Sequence, residues 1–512
     1  MRNGATPTPF AVIHHWAIFG PPRERCASFP QPHLRAPQYP NGLNTKMTRR
    51  ILHAPGHVTG KDMKTSPRTH GLPRFGHLID VGIRPLGFFT ALQRTYPDLV
   101  TVEVYGGEFT YISHPDLVEE ILVTQQKKVQ KDGFLKQHAK PVFGNGLLAS
   151  DGEFWLRQRR MAQPAFHRTR IAEYAAVMSR HADTTFAAIS PGSWVDIHPV
   201  MMRLTLDIVA ETLFGTVHTD AKERIGRALE TIMAHFAGDS LLQVLGMILQ
   251  RSLDPAEEAA YQNAVQTFDT VIDAMIMERK RNPQDDTDLL GMFLVARDID
   301  ETPMSDTQLR DECKTMFLAG HETTALTLSW TLWLLATHPE IQQTLATEVA
   351  SVIGQRAPTI EDMGALPVLE QVIRESMRLY PPAWVIQRES LEALTVTVGA
   401  NTYTIPAEHN ISLSPAAMHR DPRFFADPDT FIPSRWTQDF MAQLPKYAYF
   451  PFGGGPRLCI GQQFAMMELT LILARAIQAG TWQAKRLQRV VAQPSITQRP
   501  KYGISLRVRP HP

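Results

Sequence analysis

The sequence is poor in cysteine, with three in 512 residues: Cys26, Cys313 and Cys459. Three widely separated thiols cannot form a disulfide framework, and they lack the paired spacing of a zinc cluster. Both kinds of small cross-linked domain are excluded, and a reducing compartment is predicted. We interpret Cys313, inside an apolar helical stretch, as a core residue and assign no function to Cys26.

A charge bias and a long hydrophobic run are also missing. The 52 lysines and arginines balance 51 acids, for a formal net charge of +1, so charge does not indicate a nucleic-acid partner. A membrane-spanning helix needs about 20 apolar residues, and the best run, 326–336, is interrupted by Thr327, Ser329 and Thr331. No transmembrane anchor is predicted, and a hydrophobic content of 43% indicates a packed globular protein.

Residues 1–68 differ in composition from the rest. They contain ten basic residues, two acids (Glu24 and Asp62) and 10 of the 38 prolines. This composition predicts a disordered basic, proline-rich extension. The alternatives are a true start at Met47 or Met63, or a transit peptide, against whose helix the prolines argue. One large domain is predicted for residues 69–512, with ordered structure from near Pro73.

Most of that domain has helical periodicity. Two hairpins are predicted, from residues 99–105 with 108–112 and from residues 394–398 with 402–405, each pair flanking glycine. The predicted helices cover residues 200–214, 228–236, 257–279, 305–336, 339–353 and 368–379. No repeat of fixed period is visible. The predicted fold class is therefore mainly α with small β-sheets.

The segment 449–461 places Cys459 after three consecutive glycines and before a predicted helix. Glycine allows the backbone to approach a ligand closely, and the helix N-terminus is expected to lower the pKa of Cys459. A lone cysteine is otherwise a small buried apolar residue. A single thiolate without a Cys or His companion disfavours zinc and indicates an axial ligand of haem.

The predicted helix 305–336 has an unusual interior, because Gly320, Glu322, Thr323 and Thr324 are poor helix formers. Local preferences broken in this way often mark function. A kinked core helix is the alternative, since threonine can bond back to the preceding turn.

Two charged motifs are less specific. Glu375 and Arg378 share a helix face, as an ordinary surface pair also would. Trp155 and Arg159 stand one turn apart and could bind an anion, or belong to a basic amphipathic helix with Arg157 and Arg160.

Together these motifs resemble those of the cytochrome P-450 family, the haem-thiolate monooxygenases. The family pattern Phe-x-x-Gly-x-Arg-x-Cys-x-Gly is matched at Phe452, Gly455, Arg457, Cys459 and Gly461. The resemblance implies the cytochrome P-450 fold, one large helical domain that holds haem b between a distal helix and the cysteine loop.

The resemblance also assigns roles on the distal helix. Glu322 and Thr323 are the acid–alcohol pair that guides protons to dioxygen, and Thr324 assists. Gly320 leaves room for the oxygen, and His321 is structural or faces solvent.

Cofactor and structural roles follow from the same resemblance. The residues expected to hold the haem are the iron ligand Cys459 with Trp155, Arg159, Arg388, Phe452, Gly455, Arg457 and Gly461. The pair Glu375 and Arg378 is expected to be buried and completed by Arg435, for fold integrity and not for chemistry.

The implied reaction inserts one oxygen atom from O2 into a hydrophobic small molecule, a fatty acid or terpenoid, with electrons from NAD(P)H. No dinucleotide glycine fingerprint follows a strand, so a separate ferredoxin- or flavodoxin-type donor is expected. Arg157 or Arg160 could dock it. Like the soluble bacterial members, the protein is expected to be cytoplasmic, and a monomer.

The substrate pocket is expected to be apolar. Its predicted lining is Phe143, Leu147, Leu148, Phe317, Ala319, Trp384, Val385 and Ile386. Its predicted entrance is Leu241, Leu242, Val244, Leu245, Met247, Ile248 and Leu249.

Three other interpretations fit the motifs less well. A peroxide-driven or isomerising haem-thiolate enzyme usually lacks the acid–threonine pair, which this chain has. A non-catalytic haem or ligand-binding sensor is disfavoured by the intact distal motif. A helical protein with a redox cysteine does not explain four motifs in the family's order.

Overall fold

The computed structural model describes residues 64–511 except 134–135, 137–139, 216–217, 237–254, 283–287 and 299–300. Residues 1–63 of the predicted extension and the whole predicted entrance, 241–249, therefore lie outside the described residues.

Helices dominate the described chain. The α-helices are α1 (Leu78–Ile83), α2 (Pro85–Thr95), α3 (Pro115–Glu119), α4 (Lys140–Phe143), α5 (Gly152–Ala162), α6 (Arg168–Ala187), α7 (Ile197–Phe214), α8 (Thr219–Phe236), α9 (Pro255–Arg281), α10 (Leu289–Val295), α11 (Asp306–Thr337), α12 (Pro339–Val352), α13 (Pro367–Leu379), α14 (Pro415–Met418), α15 (Gln438–Gln443) and α16 (Gln462–Gln478). A π-helical turn covers Glu120–Thr124, and 3-10 turns cover Gln126–Lys128, Gln163–Phe166, Ile360–Ala365, Pro433–Arg435, Lys446–Ala448 and Gly455–Arg457.

The long helix α11 crosses the middle of the helical core. Its side chains are buried on nearly every face, because it packs against α7 and α9 as well as α13 and α16. A helix that is buried on nearly all sides is one that neighbours surround, and its buried polar side chains need partners among them. α11 and α16 therefore place the two unusual sequence segments, the distal motif and the end of the cysteine loop, in one core.

The strands are short and lie beside the helical core. They are β1 (Lys64–Thr65), β2 (Arg68–Thr69), β3 (Leu99–Val104), β4 (Gly107–Ile112), β5 (Val129–Gln130), β6 (Val195–Asp196), β7 (Ile386–Ser390), β8 (Leu394–Val398), β9 (Asn401–Ile405), β10 (Asn410–Leu413), β11 (Thr481–Ala484), β12 (Ala492–Pro494), β13 (Gln498–Pro500) and β14 (Ser505–Arg509). The sheet orders are β2-β3-β4-β10-β7-β5, β1-β9-β8, β11-β14-β6 and β12-β13.

The predicted fold class is confirmed, as are both hairpins. Leu99 pairs with Ile112 across β3 and β4, and Leu394 pairs with Ile405 across β8 and β9. All six predicted helices exist, although α8 begins at Thr219 instead of residue 228, since its first turns are polar and carry little apolar period.

The predicted start of ordered structure near Pro73 is wrong. Lys64 in β1 already pairs with Tyr403, and Arg68 in β2 pairs with Thr101. Strands of two residues are too short to show an alternating pattern in the sequence. Among the described helices, none is both long and apolar enough to cross a bilayer.

Candidate active site

The cysteine loop turns tightly before α16. Gly455 has φ of +64°, and a Cβ on it would lie 2.0 Å from the carbonyl oxygen of Leu122. Only glycine fits such a close approach at positive φ. The Cys459 amide donates to the Phe452 carbonyl at 3.0 Å, which folds the loop back on itself. The thiol is thereby held just ahead of the first residue of α16, Gln462.

The Cys459 thiol is accessible from the space above the loop but is surrounded by protein on its other sides. That burial raises the pKa of Cys459, while the Gly461 amide and the Arg159 charge oppose the rise. The expected lowering of the pKa by the helix N-terminus is therefore wrong for the protein alone, because loss of solvation outweighs the amide dipoles. A cation in that space would have to supply the missing stabilisation of the thiolate.

A cavity of about 340 Å³ lies between α11 and the cysteine loop. The predicted site residues that line it are Trp155, Arg159, Gly320, Thr323, Thr324, Arg388, Phe452, Arg457, Cys459 and Gly461. Gly455 supports the loop from behind, and Glu322 is not part of the lining.

One edge of the cavity gathers positive charge. The Arg457 guanidinium stacks 4.0 Å above the Trp155 ring and donates to Asp151 Oδ1 at 2.5 Å. Burial, and then the charges of Arg388 and Arg457, hold the pKa of Lys131 well below its usual range. Burial also lowers the pKa of Arg388, and lowers that of Arg457 to about 10. Cations brought together out of water favour an anion among them.

These donors fit haem. A single thiol at the floor can ligate one iron, apolar side chains can cover the ring, and Lys131, Arg388 and Arg457 can bind its carboxylates. No group of three or more His, Cys, Asp or Glu that could hold a free metal ion occurs in the part of the chain that the structure describes. The cavity therefore suits a carboxylate-bearing metallo-macrocycle.

The acid and the alcohol of the distal motif face different neighbours. Thr323 lines the cavity, and its hydroxyl donates to the Ala319 carbonyl at 2.9 Å. Glu322 is buried, and its Oε1 accepts from Thr497 at 2.5 Å and from Arg499 at 2.8 Å. Burial would raise the pKa of Glu322, but Arg499 lowers it. The expected pair is thus adjacent in sequence but not in direct contact, since neighbouring side chains on a helix point in directions about 100° apart.

Three more residues near this motif correct or extend the expectations. A Cβ on Gly320 would lie 3.0 Å from Val209 Cγ2, so glycine here allows close packing with α7 as well as bordering the cavity. His321 is 2% exposed, so the solvent-facing alternative is wrong. Thr324 faces Glu468 on α16, a fully buried acid whose pKa burial raises to about 8.

The Glu375–Arg378 pair is fully buried and bonded as the resemblance implies. Arg378 donates to both oxygens of Glu375 at 2.8 Å, and Arg435 Nε donates to Oε1 at 3.0 Å. Trp436 Nε1 adds a bond of 2.9 Å to Oε2. The surface-pair alternative is therefore excluded, and the network joins α13 to the segment that leads into the cysteine loop.

Half of the predicted pocket lining is wrong. Leu147, Leu148, Ala319 and Ile386 line the cavity. The others pack elsewhere in the core: Phe143, Phe317, Trp384 and Val385. An apolar residue looks the same in sequence whether it faces a cavity or a neighbouring helix.

Sequence reasoning missed several residues of the site, among them the four named next. The cavity lining also includes Lys131, Phe166 and Thr315, and Glu468 lies behind Thr324. The one local signal among these four was Glu468, the lone charged residue in the run 464–474. Lys131 has no local signal.

The geometry fits a thiolate-ligated haem site within a mainly helical fold. A cytochrome P450 family model matches residues 66–506. Cyclooctatin synthase of Streptomyces melanosporofaciens is 36% identical over 450 residues, covering 86% of this chain and 94% of that protein. Pentalenene oxygenase of Streptomyces avermitilis is 32% identical over 431 residues, covering 84% and 92%. The heme domain of cytochrome P450DA matches with a TM-score of 0.77 at 27% identity, covering 88% of this chain and 98% of that one.

The chain belongs to the cytochrome P450 family. Its cofactor is haem b and its activity is that of a monooxygenase. Monooxygenases of this family use O2 and redox partners.

Proposed function

We propose that this enzyme oxygenates a terpenoid-like hydrophobic molecule, with electrons from NAD(P)H delivered by a separate redox protein. The observation that carries the substrate class is the apolar wall of the cavity, to which Leu147, Leu148, Met316 and Ile386 contribute. Such a wall binds by excluding water and offers few polar groups that would demand partners on the substrate. Relatives named for cyclooctatin and pentalenene favour a terpenoid over a fatty acid.

Cys459 would ligate the iron, and the haem, when bound, supplies the activation of O2. Lys131, Arg388 and Arg457 would bind its carboxylates, and Trp155 would fix the orientation of Arg457. Binding those carboxylates also relieves the mutual repulsion of the three cations.

Thr323 is the distal group we place in contact with the reacting molecules. Its hydroxyl proton is used in the bond to the Ala319 carbonyl, so its oxygen lone pairs are free to accept a hydrogen bond from a group in the cavity. Glu322, kept ionised by Arg499, would act behind Thr323 as the acid that receives and passes protons.

The electron donor would dock near α5. Arg157 and Arg160 both pair with Asp298, at 3.2 and 3.0 Å, so two cations share one acid and the surface stays positive. An acidic ferredoxin or flavodoxin suits such a surface.

The first experiment is the carbon-monoxide difference spectrum of the reduced protein, wild type beside Cys459→Ala. A strongly red-shifted Soret band in the wild type, lost in the variant, is expected. A wild type without that band would contradict ligation of the haem iron by Cys459, on which the whole proposal depends.

A substrate screen then follows by spin-state shift, with cyclic terpenes beside fatty acids of matched carbon number. Shifts with terpenes and turnover with NADPH, ferredoxin and ferredoxin reductase are expected. Shifts with fatty acids alone would overturn the substrate class, and turnover with hydrogen peroxide alone would favour the peroxygenase alternative.

A further inference from the structure

A short loop forms one wall of the cavity. Residues 144–148, called the wall loop below, follow α4 and precede α5. The side chains of Leu147 and Leu148 line the cavity. A loop without regular secondary structure is mobile unless something holds it, so the contacts of the wall loop decide the shape of the cavity on this side.

Two adjacent acids of α11 hold the backbone of the wall loop. The Asn145 amide donates to Asp311 Oδ2 at 2.7 Å, and the Leu147 amide donates to Glu312 Oε2 at 2.9 Å. The two donor amides are separated by one residue, Gly146, so the two bonds fix both the position and the direction of the wall loop.

Two glycines make the close approach possible. A Cβ on Gly144 would lie 2.1 Å from the Asp311 carboxylate, and Gly144 has φ of +54°. A Cβ on Gly146 would lie 2.2 Å from Thr315 Oγ1 and 2.6 Å from the Asp311 carbonyl oxygen. The loop and the helix are thus fitted to each other from both sides, which an incidental contact would not require.

Glu312 has no exposed surface. Its other oxygen, Oε1, accepts from Gln308 Nε2 at 2.7 Å. Burial raises the pKa of Glu312 to about 8, although the bonds from Leu147 and Gln308 oppose the rise. Burying an acid costs stability, and Glu312 does not line the cavity. Glu312 therefore contributes to the site through the hydrogen bonds that it accepts from Leu147 and Gln308.

We propose that Asp311 and Glu312 are positioning residues that hold the wall loop against α11 and so determine which molecules fit beside the haem. The proposal deepens the proposed function, on which it rests. Leu147 carries the effect, because its amide is held by Glu312 and its side chain faces the cavity.

The test compares Glu312→Leu, which cannot accept the bond, with Glu312→Gln, whose carbonyl oxygen can. Type II spectral binding of N-methylimidazole and N-benzylimidazole to the ferric enzyme gives the ratio of two dissociation constants. We expect Glu312→Leu to change this ratio by about tenfold, which corresponds to the loss of one or two hydrogen bonds, and Glu312→Gln to restore it. Hydrogen exchange at Leu147 should be faster in Glu312→Leu than in the wild type or in Glu312→Gln.

Asp273→Asn is the matched control. Asp273 on α9 pairs with Arg310 of α11 at 2.9 Å. Arg310 precedes Asp311 in the sequence, but neither Asp273 nor Arg310 has a hydrogen bond or ion pair with the described wall loop. We expect it to leave both the ratio and the exchange at Leu147 unchanged. Gly146→Ala tests the same contact from the loop side with both acids intact, in case Glu312→Leu does not fold, and should move the ratio.

The outcomes separate the two proposals. Unchanged hydrogen exchange at Leu147 in both Glu312→Leu and Gly146→Ala would show that the acids of α11 do not hold the wall loop. Faster exchange at Leu147 with an unchanged ratio of the two dissociation constants would show that holding the wall loop does not determine which molecules fit beside the haem. A wild type without the red-shifted band in the carbon-monoxide spectrum would overturn the proposed function. Hydrogen exchange at Leu147 would still test whether Glu312 holds the wall loop.

Discussion

The buried acid Glu375 holds together the segments around this site. Glu375 accepts from Arg378, Arg435, Trp436 and the Ile432 amide, so every hydrogen-bonding position of the acid is used. A buried ionic network adds little over an apolar core when it is complete, but it is costly to break because the partners are left uncompensated. The network is therefore a point at which one substitution should unfold the surroundings of the cysteine loop.

Glu375→Gln is expected to lower the free energy of unfolding by about 3 kcal/mol and to reduce haem content, since Arg378 and Arg435 lose their counter-ion. Urea denaturation and the haem-to-protein ratio measure the two effects. Glu370→Gln on the same helix is the control, because Glu370 pairs with Arg374 at the surface, where it is 48% exposed. It should change stability by less than about 0.5 kcal/mol, and equal effects of the two would contradict the network's importance.

Glu468 makes stability depend on pH. Burial raises its pKa to about 8 from an ordinary value of 4.5, so the folded protein holds this proton more tightly than the unfolded chain does. The contribution is present below about pH 4.5 and is lost as the pH rises to about 8.

Glu468→Gln should therefore gain in melting temperature relative to the wild type as the pH rises from about 5 to about 8, since the variant has no ionising group here. Thermal denaturation of both proteins across this range checks the difference between them. A constant difference would mean that Glu468 is ionised, or solvated, in the folded protein.

At the scale of elements, the cysteine loop depends on its fit to the turn at Glu120–Thr124. Gly455 meets the Leu122 carbonyl from a backbone conformation that L side chains rarely adopt. The glycine thus couples the thiol's position to a segment more than 300 residues earlier in the chain.

Gly455→Ala should cost about 2 kcal/mol or more and displace Cys459. We expect a lower melting temperature and a weaker thiolate band in the carbon-monoxide spectrum. Gly364→Ala is the control, because a Cβ there meets nothing within 4 Å and φ is not positive. A Gly455→Ala protein with the normal band would show that the loop can shift without moving the thiol.

At the scale of the whole molecule, the site is assembled from distant parts of the chain. Glu322 is held by Thr497 and Arg499 from the C-terminal sheet, and Arg457 is held by Asp151 at the start of α5. The first described strands, β1 and β2, join sheets formed by residues near 100 and near 400.

Deleting residues 1–70 should therefore lower the melting temperature by a few degrees relative to deleting residues 1–60, because only the longer deletion removes β1 and β2. Equal melting temperatures would support the start near Pro73 that the sequence favours. Differential scanning calorimetry of the two shortened proteins distinguishes the outcomes.

The amino-acid sequence was sufficient for the parts whose information is local. The cysteine loop spans thirteen residues, the Glu375–Arg378 pair spans four and each hairpin about a dozen, so spacing alone predicted both hairpins and singled out Cys459 and the Glu375–Arg378 pair. The burial of that pair was predicted only by the resemblance to the family. The contact of Arg435 was available only through the resemblance to the family.

Tertiary packing decided the rest. It turned Glu322 toward Arg499, placed Lys131 beside Arg388, buried Glu468 and tied the wall loop to Asp311 and Glu312. These features depend on contacts between residues far apart in the chain and on how much water each charge loses. Neither quantity is written in the local pattern of residues, because burial and direction arise only when the elements pack together.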